Sequence, residues 1–139
     1  MRSRYGANGS RLKFKNQITW VYDGRIYREP QDKSLREQFK IKFGKVGGIR
    51  FASKKEALHY LDLLFLEKAD QLRDLELQPK FALVVNNKKI CSYVADFQYV
   101  DCESGKTIVV DTKGHKTPEY KIKSKLFRAL YPELEHLEP

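Results

Sequence analysis

Two charged residues follow an apolar run in the last third of the chain. Asp111 and Lys113 come directly after the run Ile108-Val109-Val110, with one residue between them. If the run is a β-strand, side-chain alternation places both charged groups on one face of a sheet, at the end of a buried segment. A carboxylate is a ligand that Mg²⁺ prefers, and an ammonium can offset the charge of a phosphate. The pattern indicates metal and phosphate chemistry, although Asp-x-Lys alone is a common spacing.

A second carboxylate, Asp96, lies within the preceding apolar segment. We predict one long strand over residues 90–100, a turn, and a strand over residues 107–113, in a register that places Asp96 opposite Lys113. In this register Asp96 and Asp111 are diagonal neighbours on one face, about 7–8 Å apart at Cα. Two carboxylates in that arrangement can share one divalent cation. The alternative role for Asp96 is a hydrogen-bonded core acid, because an unpaired buried carboxylate is costly.

Two helices are predicted beside these strands. Ser53 as N-cap and Glu56 three residues later form a capping box, which starts a helix that continues to about Ala69. The capping box alone explains Glu56, and composition leaves a catalytic role for it equally open. Thr117 as N-cap and Pro118 as first residue start the other helix. Its apolar stripe, which we expect to face inward, is Ile122, Leu126, Phe127 and Leu130.

The net charge of +9 comes entirely from the first third of the chain. Residues 1–50 contain 13 Lys and Arg against 4 Asp and Glu, whereas residues 51–139 contain 14 of each kind. This asymmetry is typical of a basic segment that meets a polyanion, most often nucleic acid, although a solubilising face has the same composition. The candidate DNA-binding cations are Arg2, Arg4, Arg11, Lys13, Lys15, Arg25, Arg28, Lys54, Lys116, Lys121, Lys125 and Arg128.

A β-hairpin is predicted within the basic segment. Asp23-Gly24 joins Thr19–Tyr22 to Arg25–Arg28, and an Asp-Gly turn between aromatic and β-branched residues is a strong hairpin signal. Aromatic residues between arginines can stack on nucleic-acid bases, as in proteins that bind single strands. The same aromatics can instead be the packed face of a small sheet, and we prefer that interpretation because strands are rich in such residues.

The length of 139 residues fits one compact domain with an added segment. We place a basic N-terminal extension at residues 1–46 and the main domain at residues 47–139. No apolar run approaches the roughly 20 residues that a transmembrane helix requires, and no signal-peptide core follows Met1. We therefore expect a cytoplasmic protein with no membrane partner.

Four separated motifs carry a resemblance to a known family. They are Ile49-Arg-Phe-Ala-Ser-Lys-Lys-Glu-Ala57, Leu75-Glu-Leu-Gln-Pro-Lys-Phe81, Tyr93-Val-Ala-Asp-Phe97 and Val110-Asp-Thr-Lys-Gly-His-Lys-Thr-Pro118. In type and order they resemble the motifs of the PD-(D/E)XK nuclease superfamily. They are most similar to a bacteriophage-encoded branch that is related to archaeal-type Holliday junction resolvases. The likeness runs from about Gly47 to Pro132 and does not cover the basic extension.

The resemblance implies a fold and a set of site residues. The fold is of α/β (α+β) class, with a restriction-endonuclease-like core of a mixed central β-sheet flanked by helices, to which the N-terminal β-rich basic extension is added. The implied metal ligands are Glu56, Asp96 and Asp111, with Mg²⁺ or Mn²⁺ as the metal. Lys113 is the implied catalytic lysine, and Gln78 would orient water or phosphate. The usual Pro-Asp pair is Ala95-Asp96 here, and Asp111 replaces the Glu of Glu-x-Lys.

The implied activity is metal-dependent hydrolysis of DNA phosphodiesters by an endonuclease that acts in DNA recombination in a phage-infected cell. The expected substrate is a four-way junction. Junction resolution requires two symmetric incisions, and these imply a twofold homodimer. Two alternatives stay open. One is a phage endonuclease acting on other branched or duplex DNA, and the other is a nucleic-acid-binding module that does not cleave.

Overall fold

The computed structural model describes residues 17–112 and 116–139, and these contain nine strands and three helices. The strands are β1 (Thr19–Tyr22), β2 (Arg25–Arg28), β3 (Ile49–Phe51), β4 (Leu72–Leu77), β5 (Lys80–Val85), β6 (Lys88–Val94), β7 (Phe97–Asp101), β8 (Thr107–Val110) and β9 (Glu135–Leu137). The helices are α1 (Lys33–Lys45), α2 (Lys54–Lys68) and α3 (Pro118–Leu130). The chain therefore has a mixed α and β fold, as predicted. No helix in this part of the chain is long and apolar enough to cross a membrane.

Two compact units make up the fold, and they divide between Asp62 and Leu63, within α2. The first unit contains a three-stranded antiparallel sheet in the order β2-β1-β3. The second contains a four-stranded sheet in the order β4-β7-β8-β9 and the separate β5-β6 hairpin. The predicted domain boundary between residues 46 and 47 stays a prediction.

The predicted Asp23-Gly24 hairpin is confirmed in the first unit. Tyr22 pairs with Arg25, and both turn residues have positive φ, 51° for Asp23 and 73° for Gly24, as a two-residue hairpin turn requires. The aromatic rings of this sheet pack against α1. The ring centroids of Trp20, Tyr22 and Tyr27 lie 6.0, 6.0 and 4.8 Å from that of Phe43. The aromatics are therefore the packed face of a small sheet, the interpretation that we preferred over base stacking.

A buried carboxylate ties the three strands of this sheet together. Glu29, which is 6% exposed, accepts hydrogen bonds from Trp20 Nε1 at 2.9 Å and from Arg50 Nε at 2.9 Å and Nη2 at 3.2 Å. Burial raises the pKa of Glu29, but the hydrogen bonds from Arg50 and Trp20 outweigh it and the pKa is lowered. Glu29 therefore stays ionised. It provides the acceptor that the buried Trp20 indole N–H needs and the opposite charge for the Arg50 guanidinium.

The capping signals of α2 and α3 are both confirmed. The Glu56 N–H donates to Ser53 Oγ at 3.2 Å, and the Tyr120 N–H donates to Thr117 Oγ1 at 3.1 Å. The predicted inward stripe of α3 is wrong at Ile122, which is 68% exposed. Tyr120, Ser124 and Phe127 are buried in α3, and their spacing places them on one face of the helix. Phe127, fully buried, joins a core cluster whose other buried members are Leu83, Tyr93, Ala95, Val109 and Tyr120.

The long strand predicted over residues 90–100 is wrong, because β6 ends at Val94 and β7 begins at Phe97. At this break the chain changes partners: β6 pairs with β5, whereas β7 pairs with β4 and β8. The Ala95 N–H donates to Pro79 O at 3.1 Å and the Asp96 N–H donates to Val110 O at 3.0 Å. The adjacent N–H groups of Ala95 and Asp96 thus donate to two different segments of the chain. The apolar pattern continues across the break, so the sequence carries no sign of it.

The predicted β7-β8 register is wrong by two residues. Phe97 pairs with Val110 and Val100 with Thr107, whereas we predicted Asp96 opposite Lys113. The turn begins earlier than predicted because Asp101 starts it, with its carboxylate accepting from Ser104 N at 2.9 Å and Ser104 Oγ at 2.7 Å. A shift of two residues keeps every side chain on its predicted face. The paired register ends at Phe97 and Val110, and beyond it the Asp96 N–H donates to Val110 O while the Asp96 carboxylate accepts from Thr112.

Candidate active site

Three of the predicted site residues lie at one end of the four-stranded sheet. Gln78 directly follows β4, Asp96 directly precedes β7, and Asp111 directly follows β8. Since β7 is antiparallel to both β4 and β8, these positions fall at the same edge. The Gln78 N–H donates to Asp96 O at 2.9 Å, and the Asp96 N–H donates to Val110 O, the residue before Asp111. The fold therefore brings residues from three separated motifs together.

The Asp96 carboxylate is held by the residue that follows Asp111. Its Oδ2 accepts from the Thr112 backbone N–H and from Thr112 Oγ1, both at 2.7 Å. Thr112 is 4% exposed, so its hydroxyl is fixed in the interior while Asp96 stays half-buried. Thr112 was not among the site residues predicted from the sequence. A hydroxyl residue between Asp111 and Lys113 was visible, but only the β7-β8 pairing shows that it meets Asp96.

The Asp111 carboxylate is almost fully buried, with 1% exposure. Its Oδ2 accepts a hydrogen bond from the Tyr93 hydroxyl at 2.7 Å, and its backbone N–H donates to Leu137 O at 2.9 Å. Burial and then the hydrogen bond to Asp111 raise the pKa of Tyr93, so the hydroxyl stays protonated and donates. A buried carboxylate is costly without such partners. Asp111 is therefore held in place from both β6 and β9, and we had predicted neither contact.

Two further residues of the predicted site, Glu56 and Lys113, are not among the three at this end of the sheet that the structure describes. Glu56 is half-buried in the first turn of α2, in the first compact unit. Lys113 lies outside the residues that the structure describes. Among residues 17–112 and 116–139, no three His, Cys, Asp or Glu side chains lie close enough together to hold a metal ion. The three-carboxylate ligand set stays a prediction, and Asp96 and Asp111 are the pair that the fold brings to one edge.

Two carboxylates at one sheet edge are a donor set that fits Mg²⁺. This ion keeps several of its waters and is usually bound by one or two carboxylates together with the phosphates of a substrate. The fixed position of each carboxylate, Asp96 by Thr112 and Asp111 by Tyr93, also matches the supporting hydrogen bonds that metal ligands generally have. These residues would hold the metal, and Mn²⁺ suits the same oxygen ligands.

A cationic pocket of about 280 Å³ lies along α3 in the second unit. Its charged lining residues are Lys116, Lys121, Lys125, Arg128 and Glu138. Glu138 forms ion pairs with Lys116, at 3.4 Å, and with Arg128. Burial raises the pKa of Glu138, but the hydrogen bond from the Tyr120 hydroxyl and the neighbouring cations lower it overall. Glu138 is thus ionised, and the pocket keeps an excess of positive charge from the exposed Lys121 and Lys125.

The other candidate DNA-binding cations belong to the first unit. Arg25 and Arg28 are exposed on β2, and Lys54 is exposed at the start of α2. Arg28 and Lys54 line one pocket of about 440 Å³ together with Gln17, Thr19 and Ile26. The basic residues Arg2, Arg4, Arg11, Lys13 and Lys15 lie outside the described residues. The nucleic-acid interface predicted for this segment therefore stays a prediction.

A comparison with protein families finds one match that covers most of the chain. The family description is "Protein of unknown function (DUF1064)", and the match extends over residues 36–137. No curated protein and no solved structure matches the chain. The matched residues include the strand ends that carry Gln78, Asp96 and Asp111.

Proposed function

The chain belongs to the DUF1064 family, and we propose that it is a metal-dependent DNA endonuclease that resolves four-way junctions. The observation that carries this proposal is the pair of carboxylates at one sheet edge. Asp96 precedes β7 and Asp111 follows the neighbouring β8, each carboxylate is held by its own hydrogen bonds, and the Gln78 N–H donates to Asp96 O. The restriction-endonuclease-like core, implied by resemblance, is part of the same proposal.

In this proposal each residue has a defined chemical role. Asp96 and Asp111 hold Mg²⁺ or Mn²⁺, and Glu56 stays the third ligand that the family resemblance implies. Such an ion, when bound, lowers the pKa of a water and stabilises negative charge on a phosphate. Thr112 keeps the Asp96 carboxylate in position through its two hydrogen bonds. Lys113 offsets the charge that develops on the phosphate, and Gln78 orients the water or the phosphate.

The cationic pocket along α3 supports DNA as the partner. Lys121 and Lys125 are exposed beside Ile122 and Ser124, so a phosphate can reach their ammonium groups from solvent. Non-specific attraction of this kind fits an enzyme that recognises the shape of a branched DNA, because phosphate contacts carry no sequence information. Resolution of a junction by two symmetric incisions makes a twofold homodimer part of the proposal.

A direct test uses labelled four-way junction, flap, linear duplex and single-stranded DNA, each with Mg²⁺ and with EDTA. We expect two symmetric incisions in the junction with Mg²⁺ and none with EDTA. Equal cleavage of flap or duplex would replace the junction proposal with a broader endonuclease. Gel filtration with light scattering measures the oligomeric state, and a monomer bound to intact junction would contradict symmetric resolution.

A second candidate function is a nucleic-acid-binding module that does not cleave. It is favoured by the cationic pocket along α3, whose lysines can bind phosphates without any cleavage chemistry. The same panel of substrates distinguishes the two functions. Tight junction binding without cleavage at any Mg²⁺ or Mn²⁺ concentration would favour the module.

We predict that the double variant Lys121→Ala/Lys125→Ala binds junction DNA more weakly and with a smaller salt dependence. Each lost phosphate contact reduces the slope of log K against log salt by about 0.9 on duplex arms, so the expected reduction is about 2. Fluorescence anisotropy at several salt concentrations measures it. Lys88→Ala/Lys89→Ala, which removes the same charge from the exposed start of β6, is the matched control. Equal loss in both variants would mean that net charge alone, and not the α3 pocket, binds the DNA.

A further inference from the structure

The Tyr93 hydroxyl lies between the carboxylate of Asp111 and the imidazole of His136. Its oxygen is 2.7 Å from Asp111 Oδ2 and 2.8 Å from His136 Nε2. Tyr93 is 2% exposed, and its ring packs on that of Phe127 with centroids 4.9 Å apart. The His136 ring is held edge-on against the same Phe127 ring, with centroids 5.3 Å apart. The Tyr93 and His136 rings are therefore held in place by the same buried Phe127 ring.

The protonation of His136 follows from its other neighbour. Arg128 Nε lies 3.0 Å from His136 Nδ1, and a guanidinium can only donate. Nδ1 must therefore accept, so the neutral imidazole carries its proton on Nε2. Burial first, and then the charge of Arg128, lower the pKa of His136, against the opposing effect of Glu138. The neutral ring is thus the form that this environment favours.

The hydrogen bonds consequently run in one direction. Arg128 Nε–H donates to His136 Nδ1, His136 Nε2–H donates to the Tyr93 oxygen, and the Tyr93 O–H donates to Asp111 Oδ2. With His136 donating to its oxygen, the Tyr93 hydroxyl donates to Asp111 Oδ2 at 2.7 Å, and the Tyr120 hydroxyl is its third hydrogen-bonding neighbour. We call the series from Arg128 to Asp111 the Arg-His-Tyr chain.

We propose that His136 and Tyr93 are positioning residues of the candidate active site, which fix the orientation of the Asp111 carboxylate through the Arg-His-Tyr chain. The proposal rests on the proposed function, because it assigns to Asp111 the role of a metal ligand. Removing a hydrogen-bonding partner that orients a metal ligand typically weakens metal affinity by about 10–100-fold. Neither residue touches the substrate in this scheme, and both act through Asp111.

The first test needs neither metal nor DNA. Long-range ¹H–¹⁵N NMR of the full chain, assigned with a His136→Gln variant, reports which ring nitrogen of His136 is protonated. We expect the neutral Nε2–H form at pH 7.5. A neutral Nδ1–H form or a protonated ring would contradict the direction of the hydrogen bonds in the Arg-His-Tyr chain. Either result would overturn the proposal, whether or not the protein cuts DNA.

The second test measures Mn²⁺ affinity by isothermal titration calorimetry in variants that remain folded by circular dichroism. We expect Tyr93→Phe and His136→Leu to bind Mn²⁺ roughly tenfold more weakly, the lower end of the usual range for such partners. His136→Gln can donate to Tyr93 and accept from Arg128, so its affinity should stay within about threefold of the parent. Tyr131→Phe is the matched control, because its hydroxyl donates to Ala82 O at 2.8 Å within the same core.

Together the two tests distinguish a failure of the proposed function from a failure of the positioning role. The parent protein could bind no Mn²⁺ and cut no DNA even though NMR shows the Nε2–H form of His136. In that case the proposed function is wrong, and so is the positioning role of the Arg-His-Tyr chain. If the parent binds Mn²⁺ and cuts, but His136→Leu binds the ion as tightly as the parent, only the positioning role is wrong. Equal weakening in His136→Gln and His136→Leu would also contradict it, because packing rather than hydrogen bonding would then be responsible.

Discussion

Replacing Asp111 with Asn is expected to lower the rate of Mg²⁺-dependent junction cleavage by roughly 10²–10³-fold, the usual loss when one group that stabilises transition-state charge is removed. Asn has almost the shape of Asp and can still accept from the Tyr93 hydroxyl, so the buried hydrogen bond is kept. What is lost is the charge that attracts a divalent cation. Asp96→Asn should act in the same way, because its amide oxygen can still accept from Thr112. Single-turnover cleavage of labelled junction measures both.

Two controls make this result specific. Glu103→Gln removes a carboxylate from the turn at the opposite end of the β7-β8 hairpin and should cut at the parent rate. Junction binding in EDTA should be unchanged or tighter in both aspartate variants, because without a divalent cation the removal of negative charge does not weaken attraction to phosphates. Cleavage at the parent rate by Asp111→Asn and Asp96→Asn would show that the active site lies elsewhere.

The Phe127→Ala variant is expected to lose about 3–5 kcal/mol of free energy of unfolding, the usual cost of truncating a fully buried phenylalanine. Phe127 is 0% exposed, and its ring contacts those of Phe81, Tyr93 and Tyr131 at centroid distances of 4.8, 4.9 and 5.3 Å. Truncation leaves a cavity beneath α3 that these rings cannot fill without leaving their rotamers. Urea denaturation followed by circular dichroism measures the loss.

The matched control lies in the same helix. Ile122 belongs to the apolar stripe that the sequence predicts, but it is 68% exposed. We expect Ile122→Ala to change the free energy of unfolding by no more than about 0.5 kcal/mol, as is usual for surface positions. If Ile122→Ala costs as much as Phe127→Ala, the face of α3 that packs on the sheet has been assigned incorrectly.

Local chemistry made part of the fold predictable. The Asp23-Gly24 hairpin and the starts of α2 and α3 depend on turn and capping residues that lie within a few positions of each other, and all three are confirmed. The break after Val94 was not predictable, because it depends on Pro79 and Val110, which satisfy backbone groups from other parts of the chain. The predicted inward stripe of α3 was correct at Phe127, Leu126 and Leu130, which are buried in or pack against the core cluster, but wrong at Ile122. The buried face also includes Tyr120 and Ser124, which a search for apolar residues does not select.

The same distinction applies to the candidate site. Asp96 and Asp111 could be identified because a carboxylate inside or directly after an apolar run needs an explanation. Their partners could not, because Tyr93 lies 18 residues from Asp111 and His136 lies 43 residues from Tyr93. The register error arose from Asp101, whose side chain starts the turn before the Ser-Gly pair. Asp96 and Asp111 nevertheless lie at the same end of β7 and β8.

The short strand β9 has an effect on the solubility of the chain. It pairs in parallel with β8, whose four residues are all β-branched and mostly apolar. Without β9, that row of backbone N–H and C=O groups would become an open sheet edge, which is a template for pairing with other chains. Glu135 adds an exposed charge on β9, and charge discourages such association. The strand that brings His136 to the candidate site thus also protects the sheet from aggregation, so partial unfolding of β9 would affect both together.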